Sequence, residues 1–267
     1  MARQTRTAAP EPAEIYERTR TEGRRRLSRP LLELAATALV GGFDIAFGVV
    51  AYGLAAGAIH GGRSDGVGHL VGSLAFGLGF VFVVVGRSEL FTENFLVPIA
   101  GLDRRNRGSW AKLAELWAAT LVLNVAGGVV LTIILTSNGV LRGGAGAALD
   151  RLADHVAGYD AGTAFLSAVA AGALMTLMTW FVEGAAESMG VRIVMAWLVG
   201  SLLVLGAFNH AIVSTVELVF GLRGAADVGY GTIFGNLGLA VGGNLVGGLV
   251  LVTFARTAQA LGGGSDA

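Results

Sequence analysis

The chain has no cysteine. That excludes disulfides, thiol catalysis and cysteine metal sites, and leaves the redox compartment undecided. It also has little charge. Only 14% of its 267 residues are Asp, Glu, Lys or Arg, against roughly 25% in an ordinary soluble domain. The formal net charge is zero, so no nucleic-acid partner is suggested. The four histidines, His60, His69, His155 and His210, are too scattered to form a metal-ligand cluster. No paired nucleophile and base and no HExxH motif appears, so neither an enzyme nor a cofactor site is indicated. What remains is apolar. The hydrophobic fraction is 54% and the mean hydropathy +0.66, with 42 glycines. This is the composition of an integral membrane protein whose helices approach closely through small residues.

The first thirty or so residues are polar and contain "RTRTEGRRRLSRP" before any apolar run. A cleavable signal would begin its apolar region sooner. Residues 14–34 read either as a basic helix on an anionic membrane surface or as a solvated tail. Six apolar blocks follow, at 37–59, 70–102, 113–135, 163–186, 191–222 and 230–255. The expected organisation is a basic N-terminal segment (1–34), a six-span membrane domain (35–257) and a flexible tail (258–267). Arginines gather before the first span (Arg18, Arg20, Arg24, Arg25, Arg26), after the second (Arg104, Arg105, Arg107, with Lys112), after the fourth (Arg192) and after the sixth (Arg256). The alternate loops hold only Arg63, Arg142, Arg151 and Arg223. The positive-inside rule then makes both termini cytoplasmic.

Blocks two and five each run just over thirty residues. As straight helix that is about 45–50 Å, too long for a hydrocarbon core of about 30 Å. Each is interrupted near its middle, by "GRSELFTEN" and by "GAFNHAIVST". A broken membrane helix is tolerated only where its freed backbone meets protein or a water-filled cavity. Each break is the middle block of a three-block half, the pattern of a transport site built from inverted repeats. Spans three and six agree, with Asn-x-x-Gly-Gly-x-x-Leu around Asn124 and Asn244.

His210 stands at the second break, after Asn209 and before Ser214 and Thr215. It is the candidate proton donor or hydrogen-bond partner for a passing weak acid. Thr92 and Asn94 are expected to cap the second half of block two, and Asn209 that of block five. Two helix N-termini with free N–H groups would then favour an anion at mid-membrane. The acids Asp44, Glu89, Glu93, Glu183 and Glu217 lie in or beside the spans. Arg87 is expected to pair with Glu89, Glu93 or Asp44, either as a structural clamp or beside the substrate. Phe76, Leu90, Phe91, Leu203 and Phe208 flank the breaks as packing or as apolar constrictions.

Together, "SELFTEN", "FNHAIVST" and "GNLVGG" resemble the formate/nitrite transporter family over about residues 30–256. The resemblance implies an all-α, aquaporin-like fold of inverted three-helix repeats, with helices two and five broken. It implies a homopentamer in the inner membrane, each protomer with its own pore for a small monovalent anion or its conjugate acid, often moving with a proton. His210 then matches the family's central histidine, Thr92 the polar residue of the helix-two break and Asn244 the helix-six asparagine. Phe76, Leu90 and Phe91 match constriction positions, and Leu203 falls where many members have phenylalanine. The chain departs in having Asn209 where an acid usually precedes the histidine, and Ser214 where an asparagine follows. Arg87 and Glu93 replace small or uncharged residues, and Asp160 lies near the place of a vestibule lysine. With the residues read directly, the expected substrate pathway is His210, Thr92, Asn244, Asn209 and Asn124. The alternatives are a pore for a neutral or cationic small solute, and a non-conducting membrane scaffold or sensor.

Overall fold

The computed structural model describes residues 10–59, 65–137, 139–141 and 143–262. His60, Arg63, Arg142 and the residues after Gly262 lie outside the described residues. Among the described residues all regular structure is helical. The elements are α1 (Pro12–Leu27), α2 (Leu31–Ala58), α3 (Asp65–Gly86), α4 (Val97–Gly101), α5 (Arg107–Leu135) and α6 (Ala145–Ala157). There follow α7 (Ala161–Gly184), α8 (Met189–Leu205), α9 (Ala211–Arg223), α10 (Tyr230–Leu245) and α11 (Phe254–Gly262). A 3₁₀ turn, Phe91–Phe95, precedes α4. A π-helical stretch, Val246–Thr253, joins α10 to α11, so helix runs on to Gly262, into the segment expected to be a flexible tail.

Helices α2, α3, α5, α7 and the continuous α10–α11 run are each long and apolar enough to cross a membrane. The remaining crossing is shared by α8, with 17 residues, and α9, with 13. The six expected spans are therefore present, and the second and fifth are interrupted where the polar residues fall. Both interruptions begin alike. A helix ends at or just before a glycine, Gly86 or Gly206, and the next residue turns into the left-handed region, Arg87 at φ 57° and Ala207 at φ 48°. No other non-glycine residue has positive φ among those described. A non-glycine residue pays steric strain there, so these two are imposed by the surrounding structure.

The halves are built alike: α2, α3–α4 and α5, then α7, α8–α9 and α10. In each, the first helix packs against the third, and α3 packs across the interface against α8. Glycine makes the close approaches. A Cβ on Gly42 of α2 would strike the Asn124 backbone, and one on Gly172 of α7 the Asn244 backbone. An odd number of crossings per half obliges the repeats to run in opposite directions. The N-terminal segment does not lie on the bilayer as a free surface helix. Helix α1 docks on α4, with Tyr16, Thr19 and Gly23 buried, and Arg18 reaches Glu187 beyond α7 at 3.1 Å.

Candidate functional site

The two asparagines of the shared motif hold the two breaks. Asn124 Oδ1 accepts from the Phe91 N–H (2.8 Å), while its Nδ2 donates to the carbonyls of Ala38 (2.6 Å) and Glu89 (2.9 Å). Asn244 Oδ1 accepts from the Ala211 N–H (2.9 Å), while its Nδ2 donates to Ala168 (2.7 Å) and Asn209 (3.0 Å). The bonds match one for one across the halves. Both side chains are fully buried, and their polar atoms are committed to backbone. A freed peptide group at this depth needs such a partner.

Between the breaks lies a single polar contact. Thr92 Oγ1 and His210 Nε2 are 2.7 Å apart, both residues fully buried. His210, rather than Asn209, caps α9: its Nδ1 accepts from the N–H groups of Ile212 (3.2 Å) and Val213 (3.1 Å). An accepting Nδ1 carries no proton, so in the neutral ring the proton is on Nε2, which donates to Thr92. That leaves the threonine's own proton to be donated elsewhere. The expected free N–H groups at α9's start are not free, since Asn244 and His210 occupy those of Ala211, Ile212 and Val213.

Thr92 and Asn94 do not act as caps. Thr92 is within the 3₁₀ turn, and Asn94 accepts from Arg26 (3.0 Å) while donating to the Leu90 carbonyl (3.2 Å). Asn209 instead makes a reciprocal amide pair with Asn236 (2.9 and 3.0 Å) and bonds Ala164 and Ser167. Asn236 went unnoticed in the sequence. Its signal was its spacing of two helical turns from Asn244, on the same face of one span.

The apolar residues expected at the breaks belong to one buried core cluster. Phe76, Leu90 and Leu203 are fully buried and Phe91 nearly so, while Phe208 is half-buried and packs against the same core. Phe80, also missed, stands edge-on to the His210 ring with centroids 6.2 Å apart, and Phe76 stands against Phe80 at 5.8 Å.

The acids divide into three groups. Arg87 is exposed and pairs with none of Glu89, Glu93 or Asp44, which corrects the expected pairing. Glu89 is instead held by Arg26 (3.0 Å) and Arg29, both from the N-terminal segment. Glu93 accepts from the Leu90 N–H (3.3 Å). With Glu183, Arg87 and Arg192 these groups line a cavity of about 150 Å³ beneath the first break. Arg192 Nε is buried there without a hydrogen-bond partner. Asp44 accepts from Ser88 (2.5 Å) on the near side of the break. Glu217, buried in α9, stands apart as the third. At the edge of the cavity, burial pushes the Glu22 carboxyl up, but the hydrogen bond from Arg25 and the charges of Arg26 and Arg25 hold it below its ordinary value.

The sequence model of the formate/nitrite transporters matches residues 13–258, nearly the whole chain. The chain belongs to the formate/nitrite transporter family. Relatives include the inner membrane protein YfdC of Escherichia coli, 24% identical over 77% of this chain, of which the chain spans 65%. Another is the uncharacterized transporter YrhG of Bacillus subtilis, 26% identical over 90% of each chain. Among solved structures, a pentameric formate channel with formate bound superposes with a TM-score of 0.72 at 23% identity, covering 86% of this chain and 97% of that one. An ion channel of the same family superposes at 0.77 and 16% identity, covering 91% and 97%. The fold of a formate/nitrite transporter is thus the fold seen here, and the chain is a multi-pass membrane protein.

Proposed function

We propose that the protein passes a small monovalent anion of the formate or nitrite class, or its conjugate acid, through the centre of each protomer. The contact between Thr92 and His210 carries this reading. It lies where both broken spans meet, fully buried, with Phe80 edge-on to the histidine ring in the apolar core. A bare anion is costly in such a dry constriction and a neutral acid is not. The positive pole at the start of α9 favours the anion there. Thr92, held by the His210 Nε2–H, offers its own hydroxyl proton to it.

Of the two roles expected of His210, proton donor and hydrogen-bond partner, the second is the one this reading uses. In this geometry the resting ring acts as a hydrogen-bond donor through Thr92. A second ring proton would sit on Nδ1, opposite the two N–H groups it caps, so each cycle of donation would loosen the start of α9.

The matched family and the formate-bound channel support a homopentamer with one pore per protomer. The YfdC relative supports the inner membrane, and the arginine distribution supports cytoplasmic termini.

Proteoliposomes carrying the protein are assayed with formate, nitrite, lactate and ammonium at two pH values. Formate or nitrite flux that rises as pH falls is expected, and His210→Ala removes the pH dependence. Ammonium flux without anion flux, or wild-type pH-dependent flux in His210→Ala, overturns the reading.

A further inference from the structure

At the end of the molecule where α1 and α11 lie, a second pocket opens between α1 and the loop joining α4 to α5. Its walls are Arg20, Arg24, Asp103, Arg104 and Arg105, with Gly101 and Leu102. It lies apart from the cavity beneath the first break and shares no lining residue with it. Four arginines face one aspartate.

Their charge is largely uncommitted. Arg20 reaches Glu17 at 3.3 Å, an exposed pair. Among the described residues, no acid pairs with Arg24, Arg104 or Arg105. Asp103 accepts from the backbone N–H of Arg105 (3.1 Å).

The pocket is held in shape from both sides. Gly23 and Gly101 put the backbones of α1 and α4 in contact: a Cβ on Gly101 would strike Arg24 and Gly23 backbone, and one on Gly23 would strike Val97. Arg24 is therefore fixed next to the loop. The loop is tied by Asp103 N–H to Ser109 Oγ (3.2 Å), by Asn106 N–H to the Asp103 carbonyl (3.1 Å) and by Trp110 Nε1 to the Arg104 carbonyl (3.2 Å).

Its depth is also marked. Helix α5 has 29 residues, about 44 Å at roughly 1.5 Å per residue, so its ends project beyond a hydrocarbon core of about 30 Å. Trp110, near its start, is 48% exposed, an indole at the level where aromatic rings anchor spans in the headgroup layer. The pocket sits one loop away from that ring.

We infer that this pocket binds the phosphate of an anionic phospholipid headgroup, with Arg24, Arg104 and Arg105 as its ligands. Guanidinium forks match phosphate oxygens, and an arginine cluster at headgroup depth on a basic end meets anionic lipid first. A lipid bound there bridges α1 to the α4–α5 loop and so holds α1 in place from outside the bundle.

Trp110 serves as reporter, its contribution isolated by comparison with Trp110→Phe. The full-length protein is reconstituted in phosphatidylcholine with increasing brominated phosphatidylglycerol, or with brominated phosphatidylcholine as the control. Quenching of Trp110 by the anionic lipid at low mole fraction is expected. The apparent affinity should fall about fivefold for each of Arg24→Gln, Arg104→Gln and Arg105→Gln, while Arg223→Gln at the opposite end leaves it unchanged. Thermal unfolding of the triple variant in pure phosphatidylcholine, equal to wild type, verifies that the variant is folded. Equal quenching by the two brominated lipids overturns the inference. So does loss of the phosphatidylglycerol preference in millimolar inorganic phosphate at constant ionic strength, which would make free phosphate the occupant.

Discussion

At the scale of single residues, the side chains that matter most are spent on backbone. Asn124 and Asn244 each satisfy two peptide groups at a break and bond a third carbonyl in the neighbouring unbroken helix. Leucine has similar volume but no amide. Asn124→Leu and Asn244→Leu should each cost about 2 to 3 kcal/mol, because buried peptide groups are left unpaired. Chemical unfolding in detergent would measure this, and a loss well below 1 kcal/mol at either site would show that water replaces the amide. Thr92 makes the complementary case. Its hydroxyl accepts from His210 and has one proton to give, so Thr92→Ser should keep anion flux. Thr92→Val should lower it about ten- to hundredfold, the usual worth of a hydrogen bond to a charged group. Equal flux in Val and Ser variants would remove Thr92 from the pathway.

At the scale of elements, α1 is a part of the fold that its sequence hides. Arg26 and Arg29 look like members of a basic tail, yet both reach Glu89 at the break. The charge pattern of the tail announces polarity and nothing about a partner some sixty positions away. The one local hint is that Arg29 abuts Pro30 and the first span. By contrast the breaks themselves were legible, since polar residues in the middle of overlong apolar blocks admit few structures. The caps were not, because Thr, Asn and His are all acceptable acceptors in a sequence and only geometry chooses His210. Glu89→Gln leaves the buried Arg29 and the partly buried Arg26 facing a neutral amide, and removing one partner of a buried ion pair is strongly destabilising. Amide hydrogen exchange in α1 should therefore quicken about tenfold or more, with α7 and α10 unaffected. Unchanged exchange would mean that apolar contacts alone hold α1. Glu22 gives the same element a pH dependence. Its carboxyl lies below its ordinary value of 4.5 in the folded state. The stability it contributes is therefore present above that value and is lost as pH falls through the lower, folded-state value. Slower α1 exchange at pH 4 than at pH 7, after correction for intrinsic rates, would contradict that sign.

At the scale of the whole molecule, two inverted halves share a frame and differ in what they place on it. Matched asparagines, matched left-handed residues and matched glycines make the frame. On it, Leu90 stands where the other half has His210, and Glu89 where it has Asn209. The short Asn-x-x-Gly-Gly pattern made the frame readable from sequence; the differences needed the bonds. Three crossings per half also dictate sidedness. The loop before α5, the turn between α7 and α8 and both described chain ends share one face, and the loop between α9 and α10 lies on the other. The chain has no cysteine of its own, so this can be read with single introduced thiols. Asp227→Cys should react with a membrane-impermeant maleimide in intact cells, whereas Arg105→Cys and Gly190→Cys should react only after permeabilisation. The reverse labelling would keep the fold and invert the orientation. Reaction of Arg105→Cys and Asp227→Cys from the same side would break the six-crossing arrangement, because only an odd number of crossings, three here, separates those two loops.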